Sequence, residues 1–412
     1  MQRKGQGSFI MAKHPLKVIA GIDTHSDTHH VAVISDTGEH LADKEFLAVG
    51  SGYRKIIEFI TTFGTVLAIG VEGTGTYGAE LARVLTREGL QVLEVMRPNR
   101  QHRRLHGKSD PLDAYQAAEA ALAGSGTSLP KARNGAVEAM RVLRAERSTA
   151  MRARVAVVTQ IKSILVSAPD TLRARYRSMT GTAMIAALEK SRPGGDLNDP
   201  LNTTAVVLKR LARRYRALDQ ELALVDNELD ALVSTHAPML RDLRGVGTDT
   251  ASQLLVTIGD NPERITTEAK FAALVGVAPI PASSGKTTRH RLSRSGDRQA
   301  NKAIHHIALV RMSCDARTKT YVSKRRQEGK TTKEIIRCLK RYVAREIYDQ
   351  LVHPKPAPTA GELRALRTAK HITLQAAADN LRIWPSTLSR FERGLTRDDH
   401  FFQRYSDWLN TN

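Results

Sequence analysis

The stretch "GIDTHSDTHHVAV", residues 21–33, sets Asp23 at the end of an apolar run and surrounds it with histidines and hydroxyls. Three more carboxylates can join it from afar. Glu72 closes the run "VLAIGVE", and Asp110 and Asp113 stand three apart in "GKSDPLDAYQAAEAAL". A spacing of i and i+3 puts the last two on one face of a helix. Gathered together, such groups repel by up to about 4 kcal/mol per close pair at an effective dielectric near 20, so the set requires divalent cations. Hard cations with oxygen ligands imply Mg2+, with the option of two ions about 3.5–4 Å apart that activate a nucleophile and stabilise the leaving oxygen of a phosphodiester. His25, His29 and His30 lie on both faces of an alternating strand or in its turn, so they are not expected to converge as ligands, and the chemistry is assigned to Asp23. Each acid also has an ordinary reading: Asp110 before Pro111 as a helix cap, Glu72 as a partner of the Gly-rich turn.

The elements that would carry these residues are legible. Residues 17–35 read as two short strands around a polar turn, with a third near 43–49. A buried strand ends at Glu72, a helical pattern runs from Ala79 to Glu88 with Gly89 as its stop, and "LQVLEVM" is a further strand. Strands alternating with helices give an α/β organisation. An acid on the first strand, another on a neighbour and a pair opening a helix resemble the layout of the ribonuclease H-like nucleases.

Beyond Pro130 the pattern is all-α. Residues 136–168 are helical and rich in Arg; a second long helix carries Leu208, Leu211, Tyr215, Leu218, Leu222, Val225, Leu229 and Leu232 in heptad spacing, a coiled-coil seam or one stripe of a helical bundle. In "LRGVGTDTASQLL" the turn of Gly245 and Gly247 opens a helix, a place where backbone N–H groups can meet a phosphate. Residues 353–361 form a Pro-rich linker, and 362–412 resemble a helix-turn-helix of the repressor and Cro class, with Ser386, Thr387, Ser389 and Arg390 on the recognition helix.

The chain has 412 residues, 63 Lys+Arg against 42 Asp+Glu and a net charge of +21, a balance that favours a phosphate-bearing partner. Residues 281–345 hold 18 Lys+Arg against 4 Asp+Glu, so Lys286, Arg289, Arg291, Arg294 and Arg298 fall in the expected nucleic-acid face. Aromatics are only 5%, which makes base stacking a minor theme. No apolar run nears the roughly 18 residues of a membrane span, so no membrane role is expected. Residues 1–16 read as a mobile basic tail without a signal peptide, and the two cysteines, Cys314 and Cys338, suit a reducing cytoplasm.

"GIDTHSDTHHVAV", "GVEGTGTYG" and "KSDPLDA", followed by "LRGVGTDTASQLL", "FAALVGVAPIPASSGK" and "RSGDRQANKAIHHIAL", resemble the transposases of insertion-sequence family 110, the D-E-D-D recombinases related to Piv-type DNA invertases. The resemblance covers residues 17–350 in the family's order. It implies a RuvC-like domain over 17–130 with Asp23, Glu72, Asp110 and Asp113 as metal ligands. It further implies a helical coiled-coil segment over 131–238 and a mainly helical transposase domain over 239–352. In that last domain it implies Ser284, in "ASSGK", as a nucleophile that forms a covalent phosphoserine link to DNA; Ser283 is adjacent and stays open. A Ser hydroxyl needs activation by a base or a metal. The resemblance also implies double-stranded DNA partners (element ends and target), a bridge RNA encoded by the element, and a homo-oligomer, dimer or tetramer. The helix-turn-helix lies outside the family's layout.

Three rival readings remain: a site-specific DNA invertase of the same chemistry, an actin-like ATPase or sugar kinase, and a non-catalytic regulator acting through residues 362–412. The Asp-x-x-Asp pair and the basic segment speak against the kinase.

Overall fold

The computed structural model describes residues 16–96, 109–283, 290, 291, 293, 295–353, 360–393 and 398–411. The chain forms two compact units, Met1–Gly135 with Gly259–Arg264, and Ala136–Ile258 with Ile265–Asn412. The first unit runs without a break to Gly135. It also takes in a short distant segment because Asn261 receives the Ala132 N–H and donates to the Pro130 carbonyl, both at 3.0 Å.

The first unit is built on a mixed six-stranded sheet of order β3-β2-β1-β4-β5-β6. Its strands are β1 (Lys17–Thr24), β2 (Thr28–Ser35), β3 (His40–Leu47), β4 (Thr65–Glu72), β5 (Val92–Val95) and β6 (Thr127–Ser128). The first three make an antiparallel meander, while β4 and β5 run parallel to β1. β1 is buried along seven of its eight residues, as a central strand covered on both faces must be. The edge strand β3 carries His40, Asp43, Lys44 and Glu45, which blunt it against further pairing. It starts three residues earlier than the sequence pattern suggests.

Helices α1 (Gly50–Thr61) and α2 (Ala79–Arg87) cover one face: Ile56, Ile60, Leu81 and Leu85 pack with Val18, Ile22, Val33 and Ile69. Helix α3 (Asp110–Ala123) packs against β1, β2 and β4 through Ala114, Ala117, Ala118 and Ala121. Glycines let it lie close: a Cβ at Gly21 would stand 2.1 Å from the Ala114 carbonyl oxygen, and one at Gly70 would stand 2.3 Å from that of Ala117.

The second unit is helical. Long helices α4 (Ala136–Ser167) and α7 (Pro200–His236) pack along each other, with α5 (Asp170–Tyr176) and α6 (Gly181–Lys190) between them in sequence. Leu208 and Leu211 join Val157 and Ile161, while Val225 and Leu229 join Met140. The heptad stripe of α7 is thus packed against helices of its own chain, the bundle-stripe alternative of the two the spacing allowed. Ion pairs Arg147–Asp226 and Arg154–Asp219 flank the seam.

The same core continues into α8 (Pro238–Asp242), α9 (Thr248–Ile258), α10 (Glu268–Leu274) and α11 (Arg298–Cys314), while α12 (Ala316–Gln327) packs through Val322 in a separate cluster with Ala308 and, from α13 (Thr332–Val352), Ile335 and Leu339; α13 also joins the main core. Phe271, Ile304, Ile307, Val343 and Ile347 are its centre. Four further helices, α14 (Ala360–Ala369), α15 (Leu374–Leu381), α16 (Pro385–Glu392) and α17 (Asp399–Thr411), enclose Leu363, Ala377, Leu388, Phe391 and Tyr405. Among the described residues no helix is long and apolar enough to cross a membrane.

Candidate metal centre and nucleic-acid surfaces

Asp23 sits one residue from the C-terminal end of β1, and Glu72 is the last residue of the parallel neighbour β4. The register Ile22↔Val71 brings the two strand ends side by side. Thr24 fixes that juncture by donating from Oγ1 to the Glu72 carbonyl at 2.8 Å in a buried setting. Asp110 and Asp113 occupy the first turn of α3, whose N-cap is Ser109, accepting from the Leu112 N–H. The N-cap is therefore Ser109 and not Asp110. Carboxylates in a first helical turn are favoured by the helix dipole. Asp23, Glu72 and Asp113 are all buried to 9% exposure or less.

The closest convergence is among Asp23, His25 and Asp110, whose donor atoms all lie within 4.8 Å of one another. The Nε2 of His25 is 3.1 Å from Asp23 Oδ2 and 3.5 Å from Asp110 Oδ1. The side chain of Asp23 is 8% exposed, against 40% for His25 and 45% for Asp110, so the cluster has a buried floor and an open mouth. Two carboxylates and an imidazole in this arrangement fit a divalent cation of the kind that accepts mixed oxygen and nitrogen donors.

His25 corrects the expectation that no histidine of this stretch converges with the acids. His25 stands two residues after Asp23 and so on the same face of the extended chain, and its N–H, bonded to the Thr28 carbonyl at 3.0 Å, continues the β1–β2 pairing to that residue. Its signal in the sequence was that spacing. The other two histidines do stay apart. His30 lies 2.7 Å from Asp43 Oδ2. His29 is fully buried, its ring stacked on Tyr53 at 5.8 Å, and burial holds its imidazole below its usual pKa.

In the second unit, Ser284, Lys286, Arg289 and Arg294 lie outside the described residues. β7 (Ile280–Pro281) pairs antiparallel with β8 (His290–Arg291). Asn301 holds the approach to this hairpin, donating to the carbonyls of Val275 and Gly276 at 3.0 and 2.8 Å, and it accepts from buried Lys340. Arg291 and Arg298 are exposed.

Gly245 adopts a left-handed φ of +79°, as the turn before α9 requires. The Gly247 N–H is taken by the Thr250 hydroxyl at 3.0 Å, and Asp249 in the first turn pairs with Arg144 at 3.0 Å. In α16, Ser386, Thr387 and Arg390 are exposed and Ser389 is half-buried, with Trp384 79% exposed at the N-cap.

Comparison with known proteins gives the class first: it is that of the transposases. Residues 20–168 match the model for the DEDD transposases of IS110. Residues 237–323 match that described as the transposase IS116/IS110/IS902 family. The chain is 32% identical over 146 residues to an uncharacterized 43.6 kDa protein of insertion element IS110 from Streptomyces coelicolor, covering 34% of this chain and 36% of that one. It is 22% identical over 370 residues to an uncharacterized 42 kDa protein of insertion element IS900 from Mycobacterium paratuberculosis, covering 79% and 93%. It is 24% identical over 310 residues to the transposase for insertion sequence element IS1328 of Yersinia enterocolitica, covering 72% and 85%. The chain thus carries the two domains of the IS110 family of insertion-sequence transposases.

Proposed function

We propose that this protein cuts and rejoins double-stranded DNA at the ends of its element and at a target, through a covalent phosphoserine link. The observation that carries this reading is the convergence of Asp23 and Asp110 in a domain matched to DEDD transposases. Asp23, Glu72, Asp110 and Asp113 are the residues that would hold divalent cations, Mg2+ in the first instance. The bound cation supplies positive charge that offsets the phosphate oxygens and the acids around it.

The chain's own residues do the rest. The hydroxyl oxygen of Ser284 forms a bond to phosphorus, the bond from phosphorus to the 3′ oxygen breaks, and the freed 3′ oxygen ends as a hydroxyl. The serine proton passes to a base or to solvent. One phosphodiester-like bond replaces another, so the reverse step with a new 3′ hydroxyl rejoins the strands without ATP. The basic segment 281–345, including Arg291 and Arg298, would hold DNA and bridge-RNA backbones by charge. Ser386, Thr387, Ser389 and Arg390 would face DNA in a helix-turn-helix made by α15 and α16. A dimer or tetramer would be needed to hold two duplexes.

The test is covalent trapping on element-end DNA. Wild-type protein is expected to give protein–DNA adducts and Ser284→Ala none, with Asp113→Asn losing cleavage while retaining DNA binding. Adducts at wild-type yield in Ser284→Ala would reject the serine.

A further inference from the structure

We propose that the Nε2 of His25 is a ligand of the cation held at Asp23 and Asp110, so that this site holds Mn2+ more tightly than Mg2+. The inference rests on the reading of those acids as a cation site given above.

Distances carry it first. Adjacent ligands of one ion with bonds of about 2.1 Å stand about 3.0 Å apart in octahedral and about 3.4 Å apart in tetrahedral geometry. The imidazole nitrogen lies 3.1 Å from one carboxylate oxygen and 3.5 Å from the other, and the three donor atoms lie within 4.8 Å of one another, close enough for small side-chain shifts to bring all three onto one ion. The ring is placed by the backbone, since the His25 N–H is fixed on the Thr28 carbonyl at 3.0 Å. Independently of the distances, the match to DEDD transposases points to a divalent cation in this domain.

The donor set then sets the preference. Mg2+ favours oxygen ligands and gives up its water reluctantly; Mn2+ also favours oxygen, but as a first-row transition-metal ion it adds one imidazole nitrogen more readily than Mg2+ does. The open mouth at His25 and Asp110 leaves room for the remaining positions to be filled by water or substrate oxygens. The rival role for His25 is a counter-charge between two carboxylates, which would compete with a cation instead of binding it.

The experiment uses the full-length protein titrated with Mn2+, read by the loss of the free-ion electron paramagnetic signal, with Mg2+ measured by competition. The spin-echo spectrum of bound Mn2+ is recorded in parallel. The wild type is expected to bind Mn2+ more tightly than Mg2+ and to show nitrogen coupling from an imidazole. His25→Gln should abolish that coupling and weaken Mn2+ by at least about tenfold, since a lost ligand costs no less than a lost outer-shell partner. Absence of nitrogen coupling in the wild type, or Mn2+ affinity in His25→Gln equal to or above wild type, overturns the proposal. Asp23→Asn separates the two levels: wild-type Mn2+ affinity in that variant defeats the cation site itself. Loss of affinity there, with none in His25→Gln, defeats only the nitrogen ligand.

Discussion

The Thr24 hydroxyl donates to the main-chain carbonyl of Glu72 across 2.8 Å, joining the ends of two parallel strands that each bring a carboxylate to the same edge of the sheet. Thr24→Val keeps the shape and removes this buried hydrogen bond, a loss of about 0.5–1.5 kcal/mol. Thermal unfolding of the variant should register that loss, and Mn2+ affinity should fall with it. Unchanged stability would mean that water replaces the hydroxyl.

Gly21 and Gly70 seat α3 on the sheet. Gly21→Ala would place a methyl carbon 2.1 Å from the Ala114 oxygen and 2.2 Å from the Ala118 nitrogen, and both are helix backbone that cannot swing aside. The helix must lift, carrying Asp110 and Asp113 away from Asp23. Overpacking of this kind costs about 1–3 kcal/mol or more. Amide exchange along α3 should speed up, and metal affinity should drop even where the fold survives.

Arg367 and Glu392 form a buried bidentate pair, Nε to Oε1 at 2.7 Å and Nη2 to Oε2 at 3.1 Å, and the Tyr405 hydroxyl donates to the same Oε1 at 2.6 Å. The Glu392 side chain is 2% exposed. Arg367→Met strands that carboxylate, a loss of about 3–5 kcal/mol for a buried pair broken from one side. Faster exchange confined to residues 363–409 is the expected result, with DNA cleavage by the rest of the chain the control.

His29 makes the first unit sensitive to acid. Burial lowers its pKa from 6.5, so between the two values the unfolded chain binds more protons than the folded one. Stability therefore rises with pH across that window and is lost as the pH falls below 6.5 toward the folded value. Replacing His29 by Phe, which preserves a ring against Tyr53, should flatten this part of the pH–stability curve measured by denaturant unfolding. A curve as steep as wild type would assign the effect to other groups.

Much of the architecture is written locally. The apolar runs of β1, β2 and β4 and the stop at Gly89 follow from residue type and period, because each is decided within a few residues of chain, whereas the cap of α3 read as Asp110 is Ser109. The heptad stripe of α7 was equally visible, but its partner was not. A seam of Leu208, Leu211, Leu222 and Val225 specifies an apolar counterpart without saying whose chain supplies it, and here α4 and α6 do.

The sequence alone determined the acids at the ends of its strands and helix, the excess of positive charge and the family of its two domains, since composition and motif spacing survive without any fold. Only the tertiary structure decided which side chains meet. Strand register sets Glu72 beside Thr24, and a glycine seat brings α3 onto the sheet so that Asp110 meets Asp23 and His25. Those outcomes depend on contacts between segments far apart in the chain, about which periodicity within a single segment carries no information.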